Sequence, residues 1–530
     1  MDYNEFLKSK IKISEDYGFT VSIDEINQNL KPHNKLMVKW LVEGGKRACF
    51  ASFGLHKTVT QLEAVRLTLS KIGKGRGLIV CPLSVRQEFV EDSKNILGWS
   101  ELPKFIRREN ELSDSGIYLT NYETIRDGKL DPALFEVVSL DEASVLRGLG
   151  GTKTFREFMR LFTGDAGPMQ VRRGAERIKY RFVATATPSP NDYIELLAYA
   201  DFLGIMDVSQ AKTRFFKRDS THADNLTLHA HKEEEFWLWV SSWALFVNKP
   251  SDITQDENDD KGYILPELDL RWHEIPADHT KTQVDWNGQM LLFKQEALGL
   301  QASAKEKRDS LPDRINKMLE LRAEDPEAHR VIWHDLEAER HAIEKAIPGI
   351  VSIYGSQDYE KREKNILDFS YGKVQELAAK PVIAGSGCNF QRYCSWAIYL
   401  GIGYKFNDFI QSIHRLQRFL QTKKVRVDLI YTESERTVRK ALEEKWAKHN
   451  KLITKMTEII RKYGLSHKDM SAALARKMGV ERVEISGENF RIANNDNVPE
   501  LGNKELYPDN SVGLILTSVP FSTQYEYSPN

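Results

Sequence analysis

The chain has 530 residues, enough for three or four domains, and its 41% hydrophobic and 28% charged content is that of a soluble globular protein. Lys+Arg 75 against Asp+Glu 76 leaves a formal net charge of -1, so any nucleic-acid surface must be local. Cys49, Cys81, Cys388 and Cys394 form no C-x-x-C pair, which argues against a zinc site or a disulfide framework. There is no signal peptide and no apolar run near ~18 residues, so a cytoplasmic chain without membrane contact is expected.

Residues 1–30 are mixed and polar and carry no readable chemistry. Leu30-Lys31-Pro32-His33-Asn34 then precedes an amphipathic stretch, Leu36 to Val42. The Asn34 amide both donates and accepts, which suits an adenine edge and equally suits a helix cap. Next comes an apolar run, Ala48 to Ala51, a turn containing Gly54, and a helix with Val59, Leu62, Val65 and Leu69 at helical spacing. Strand, turn and helix start together make an anion site, with free N–H groups aimed at a phosphate. In Phe53-Gly54-Leu55-His56-Lys57-Thr58, Lys57 supplies the charge and Thr58 a hydroxyl ligand for phosphate-bound Mg²⁺. The strict pattern has Gly where this chain has Ala51 and His56, and an ordinary strand-to-helix turn fits these residues as well.

Four apolar runs follow with helical material between them: 78–80, 117–119, 137–140 and 182–184. Strand and helix in alternation imply a parallel, doubly wound sheet whose ligands bind off the carboxyl ends. Each run ends in a polar or Pro-containing cluster: Cys81-Pro82-Leu83-Ser84, Thr120-Asn121-Tyr122-Glu123, Asp141-Glu142-Ala143-Ser144 and Thr185-Ala186-Thr187-Pro188. Adjacent carboxylates at a strand end suit a division of labour. Asp141 would hold Mg²⁺ and Glu142 would orient and activate water.

Residues 201–325 break the alternation, with Arg214-Phe215-Phe216-Lys217-Arg218 and an aromatic helix running from Phe236 through Trp243 and Phe246. A Trp/Phe stripe at this spacing reads as core. From 326 the alternation returns, with strands expected at 331–333, 350–353, 382–384, 397–400 and 427–430. The stretch Gln411 to Gln421 places Arg415 and Arg418 three apart, on one face if helical, where guanidiniums suit a γ-phosphate reached across a cleft. Residues 433–463 read as one long helix, with a short one at 470–478. A different module begins near Val483, and an apolar strand at 513–516 leads into Thr517-Ser518-Val519-Pro520-Phe521. Arg172, Arg173, Arg177, Lys179 and Arg181 form a candidate patch for a phosphate backbone.

These clusters, in this order, resemble superfamily-two helicases, most closely the Swi/Snf-like double-stranded DNA translocases. Phe53 to Thr58 sits where that family has Gly-Leu-Gly-Lys-Thr, Ile79 to Ser84 looks like its next motif, and Asn121-Tyr122-Glu123 like its Thr-Tyr-Glu. Asp141 to Ser144 is similar to the DEAH box, and Thr185-Ala186-Thr187-Pro188 to the Ser/Thr-Ala/Gly-Thr-Pro motif that couples the sites. Gln411 to Gln421 is similar to the family's arginine motif. The match spans roughly residues 30 to 445.

The resemblance implies an ATP- and Mg²⁺-dependent motor on double-stranded DNA. Asn34, Gly54, Leu55, His56, Lys57, Thr58 and Gln411 would hold the nucleotide. Asp141, Glu142, Lys57, Arg415 and Arg418 would act in hydrolysis, and Thr185 and Thr187 in coupling. His56 for Gly, Asn34 for Gln and Ser144 for His are departures from the family pattern, but the residues of hydrolysis all remain. Residues 483–530 look like the opening of an amino-directed DNA methyltransferase, Ser518, Pro520 and Phe521 resembling its Ser-Pro-Pro-Phe motif with Val519 in place of Pro. S-adenosylmethionine would then bind only if a partner methyltransferase or a C-terminal continuation completes the fold. The whole resembles helicase–methylase fusions of phages and bacterial modification or defence islands. The rival expectation is an ATP-binding, non-hydrolysing DNA-recognition subunit of a methyltransferase.

The expected organisation is α/β. An N-terminal extension (1–30) precedes a RecA-like ATP-binding domain (31–203), a helical aromatic-rich insertion (204–325) and a second RecA-like domain (326–432). A helical linker (433–482) and a partial, Rossmann-like methyltransferase segment (483–530) follow.

Overall fold

Short apolar runs joined by helical crossovers return the chain to the same end of a sheet each time, so their strands pair in parallel. The computed structural model describes residues 14, 16–148, 153–163, 178–189, 192–218, 226–276, 283–284, 290–291, 300–384, 389–463, 465, 483–488 and 490–494. It contains two such sheets, the cores of two α/β lobes.

The first sheet is built from β1 (Lys46–Ala51), β2 (Arg76–Val80), β3 (Lys104–Phe105), β4 (Gly116–Thr120), β5 (Val137–Asp141), β6 (Tyr180–Ala184) and β7 (Ala244–Val247). Its order is β3-β4-β2-β5-β6-β1-β7, and every pairing is parallel. Helix α1 (Pro32–Gly44) leads into β1, α2 (Lys57–Ile72) follows it, and α3 (Arg86–Asn95) follows β2. The second sheet holds β8 (Leu268–Ile275), β9 (Arg330–Trp333), β10 (Val351–Ile353), β11 (Glu376–Ala379), β12 (Trp396–Tyr399) and β13 (Val425–Thr432), in the order β8-β13-β12-β9-β11-β10. The central strands are buried on both faces, as crossover helices require.

Three differences from the sequence reading have physical causes. The aromatic stretch expected as one helix ends at Ser241, in α4 (Glu233–Ser241), and Ala244–Val247 becomes an edge strand of the first sheet beside β1. Trp237, Trp239 and Trp243 are buried in the first-lobe core. Apolar residues there are continuous, so periodicity does not separate a buried helix from a buried strand. Residues 382–384 lie in a helical turn, Pro381–Ala384, and the strand is the preceding Glu376–Ala379. Pro381 has no N–H for a ladder but is preorganised to open a helix. Lastly, β8 joins the second sheet beside β13, so residues expected in a helical insertion contribute a strand to each lobe.

The long helix spans Arg436–Tyr463. Val438 and Leu442 belong to the second-lobe core, whereas Leu452, Met456 and Ile460 belong to the first-lobe core. One rod of ~42 Å thus ties both lobes together. At 483–494 a hairpin pairs Val483–Gly487 with Phe490–Asn494; Gly464, the 470–478 helix and residues 495–530, with Ser518, Pro520 and Phe521, lie outside the described residues. Among the described residues no helix is long and apolar enough to cross a membrane.

The second lobe rests on a fully buried ion pair. Arg314 donates to Glu435 at 2.6 Å and to the carbonyls of Leu400 and Ile430. Truncating one partner strands the other charge in the interior, so Glu435→Ala is expected to destabilise this lobe by about 3–5 kcal/mol in chemical denaturation.

Candidate active site

The loop after β1 has to turn sharply to start α2 at Lys57. Gly54 does so at φ +83°, and His56 takes the left-handed conformation (φ 55°, ψ 48°) as the N-cap. Leu55 is buried in the first-lobe core and anchors the loop. From α1, the Asn34 amide donates to the Leu55 carbonyl at 3.0 Å and to Thr60 Oγ1 at 3.1 Å. Its NH₂ group is therefore committed to shaping the loop and does not cap α1. Lys57 Nζ folds back to donate to the carbonyls of Ala51 (2.9 Å) and Ser52 (3.2 Å). Burial lowers the Lys57 pKa, and the nearby Glu142 and Asp141 pull it back up.

Two carboxylates close the floor at the end of β5. Gln61 of α2, which the sequence reading passed over, donates to Asp141 Oδ1 at 2.8 Å and accepts from Ser139 Oγ at 2.7 Å. Burial and the adjacent Glu142 push the Asp141 carboxyl up to about 7, against the pull of Gln61 and Lys57. Glu142 leaves the strand at φ 49°, a left-handed turn that costs on the order of 1 kcal/mol for a non-glycine residue. That turn aims its carboxylate at the opposite lobe. Glu142 Oε2 accepts from Thr185 Oγ1 at 3.1 Å and from Gln411 Nε2 of the second lobe at 3.3 Å.

Helix α5 (Phe406–Ile413) stops before either arginine, so Arg415 and Arg418 do not share a helical face. Past Ile413 the backbone changes to i−3 bonds, with Arg415 N donating to Ser412 O and Leu416 N to Ile413 O. The His414 ring meets the Gln417 carbonyl at 3.0 Å and tightens the turn. The turn nonetheless brings both arginines into one cleft with Gly54, His56, Lys57, Thr58, Asp141 and Glu142.

The lobes touch directly around this cleft. Phe53 of the loop stacks on His414 at 4.3 Å with an interplanar angle of 14°. A Cβ at Gly54 would lie 2.9 Å from the Phe419 backbone nitrogen. Thr187 Oγ1 donates to Asn407 Oδ1 at 2.6 Å. Thr185 and Thr187 therefore sit at the lobe boundary, where their partners are Glu142 and Asn407; no motif in the sequence singled out Asn407.

Two further acidic residues line the cleft, Glu88 and Asp92 of α3. They also line a larger neighbouring cleft of about 860 Å³ that runs between the lobes. Its first-lobe wall carries Glu88, Glu91, Asp92 and Glu123, and its second-lobe wall carries Arg362, Glu363 and Arg392. The expected basic patch is different from its sequence appearance. Arg181 is a buried residue of β6 whose guanidinium donates to the carbonyls of Phe162 and Leu203, so it is not a surface for phosphates. An arginine in a run of basic residues looks exposed in one dimension, but β6 is an interior strand buried on both faces, so Arg181 is covered whichever way it points. Lys179 is exposed, and Arg172, Arg173 and Arg177 lie outside the described residues.

Fold and site together define a two-lobed α/β protein with a lysine-bearing phosphate-type loop in one lobe facing paired arginines of the other. No protein-family model and no curated protein matches the chain. Among solved structures it is similar to the SWI2/SNF2 ATPase core of Sulfolobus solfataricus in complex with dsDNA, at 18% identity over 87% of this chain and 99% of that one, with a TM-score of 0.39. It is also similar to S. cerevisiae Dbp5 bound to RNA and ADP BeF3, at 12% identity over 82% of this chain and 99% of that one, with a TM-score of 0.46.

Burial and the neighbouring Glu88 and Glu91 push the Asp92 carboxyl up to about 7 from 3.8, with Arg418 opposing. A carboxyl raised in the fold favours the protonated form, so its contribution is full at low pH and is lost as pH rises toward about 7. Asp92→Asn is expected to flatten the fall in melting temperature between about pH 4 and about pH 7. An unchanged slope would show that Asp92 titrates normally.

Proposed function

We propose that this chain is a DNA-dependent ATPase of the superfamily-two translocase type. The observation that carries the reading is the single cleft lined by Lys57, Thr58, Asp141 and Glu142 from the first lobe and by Arg415 and Arg418 from the second. The residues fit ATP with Mg²⁺. Lys57 already satisfies itself on loop carbonyls that a phosphate would replace, and Asp141 is a carboxyl raised by burial and by the adjacent Glu142, a charge a bound cation would offset. When bound, ATP·Mg²⁺ supplies the phosphoryl group to be cleaved and the metal that offsets its charge.

The chain's own residues supply the rest. Lys57 and the loop N–H groups would hold phosphate oxygens, and Thr58 and Asp141 would hold the metal. Glu142 orients a water and takes its proton, while Thr185 and Gln411 fix the Glu142 carboxylate. Arg415 and Arg418 stabilise charge on the transferring group as the lobes approach. Because Gln411 and Asn407 bond to Glu142 and Thr187, a change at the phosphates is felt directly at the lobe boundary.

Double-stranded DNA is proposed as the partner, on the Swi/Snf-like order of the motifs. In the larger cleft the second-lobe wall, where Arg362 and Arg392 outnumber Glu363, is the side that would face the phosphate backbone, and the acidic first-lobe wall would not. Residues 483–530 are proposed to dock onto, or continue into, the S-adenosylmethionine-binding half of a methyltransferase, which would place the motor in a DNA modification or defence system. A cytoplasmic location follows from that role.

Phosphate release with and without duplex DNA tests the motor. Turnover should rise with DNA and fall steeply with salt, and Lys57→Ala should abolish it. Glu142→Gln and Arg418→Ala should each lower kcat by about 10²-fold or more while ATP still binds. Wild-type turnover equal to that of Lys57→Ala would leave the rival reading, an ATP-binding subunit that does not hydrolyse.

A further inference from the structure

His56 occupies the loop position directly before the lysine in a left-handed conformation, which a residue with a Cβ adopts only under strain. What holds it there comes from outside the loop. Tyr263 lies in the linker between β7 and β8, the last strand of one sheet and the first of the other. Its hydroxyl accepts from Lys31 Nζ at 2.9 Å and lies 3.2 Å from His56 Nδ1 and 3.4 Å from His33 Nε2. Burial keeps both imidazoles neutral, His56 lowered to about 3 and His33 to about 4, and raises the hydroxyl so that it keeps its proton. One imidazole then accepts a hydrogen bond from the hydroxyl and the other donates an N–H to it, which fills the bonding capacity of the oxygen.

The second lobe closes the same cluster. The Phe419 ring, beside Arg418, meets the His56 ring edge-on at 5.2 Å and the Tyr263 ring at 4.4 Å, and Lys31 Nζ lies 3.9 Å from its centroid. Leu420 N donates to the Gly262 carbonyl at 3.2 Å, with Leu420 itself strained at φ 69°. A side chain at Gly262 would strike the Phe419 ring, at 2.8 Å.

We infer that Tyr263 is a positioning residue, which with Phe419 holds His56 left-handed so that the phosphate loop is formed only while linker and second lobe are docked on it. A glycine in place of His56 would make the same turn unaided, and the loop would not sense the second lobe. With histidine, nucleotide affinity and lobe docking are linked, and each favours the other by the same factor. The inference rests on the proposed nucleotide role of the loop.

The test is a double-mutant cycle on the full chain, read as the Kd of a fluorescent ATP analogue with Mg²⁺ and as the split of KM against kcat. Tyr263→Phe keeps the ring and removes the hydroxyl; it should weaken binding by about 3–10-fold and raise KM with kcat little changed. His56→Gly should bind at least as tightly as wild type, and adding Tyr263→Phe to it should change nothing. If Tyr263→Phe does not fold, Phe419→Leu takes its place in the cycle with the same expectation. Equal losses in the wild-type and His56→Gly backgrounds, or none in either, overturn the inference while leaving the nucleotide site standing. A wild-type chain that does not bind the analogue removes the nucleotide reading itself, and this inference with it.

Discussion

The structure depends on the contact between the loop after β1 and the arginine-bearing turn after α5. Phe53 stacked on His414, and Gly54 pressed to the Phe419 backbone, bring the two turns together at the centre of the lobe boundary. An aromatic pair of this kind contributes about 0.5–1.5 kcal/mol beyond the area it buries. That is small against the stability of either lobe. It is therefore a contact that a bound charge in the same cleft is able to strengthen or break, and a two-state element needs this property.

Around that contact the polar groups are shared between the lobes instead of being satisfied within one. Glu142 takes hydrogen bonds from Thr185 of its own lobe and Gln411 of the other, and Thr187 reaches Asn407. The lobes are held again at a distance by the 28-residue helix whose two halves lie in different cores. The charges follow the same logic. Asp141 and Asp92 are both raised to about 7, so the cleft holds carboxyls whose ionisation responds to whatever cation or anion arrives.

Most of the strands and the principal cleft residues were legible in the sequence, because a doubly wound sheet puts its chemistry at strand ends and each strand end announced itself by a polar cluster. Asp141 and Glu142 stood out this way, Lys57 and Thr58 by a strand–turn–helix pattern, and Arg415 and Arg418 by a three-residue spacing, although the helix expected to carry them ends at Ile413. Errors arose where one-dimensional signals are degenerate. The alanine-rich strand Glu376–Ala379 has weak β propensity, and the apolar run beyond Pro381 imitated it. Arg181 was read as surface because its neighbours are basic, although β6 is an interior strand buried on both faces. Gln61, Asn407 and Tyr263 carried no signal at all, since each matters only through a partner distant in the chain.

By itself the sequence determined the two alternating α/β segments, the order of the chemical clusters along them and the unusual histidine before the lysine, because these follow from local periodicity and residue type. Only the tertiary structure decided that Ala244–Val247 completes the first sheet, that the arginines reach the cleft from a turn past the helix, and that the histidine is held by Tyr263 and Phe419. The reason is the same in each case. Long-range pairing is set by which surfaces meet after the crossovers close, and no window of neighbouring residues contains both partners of such a contact.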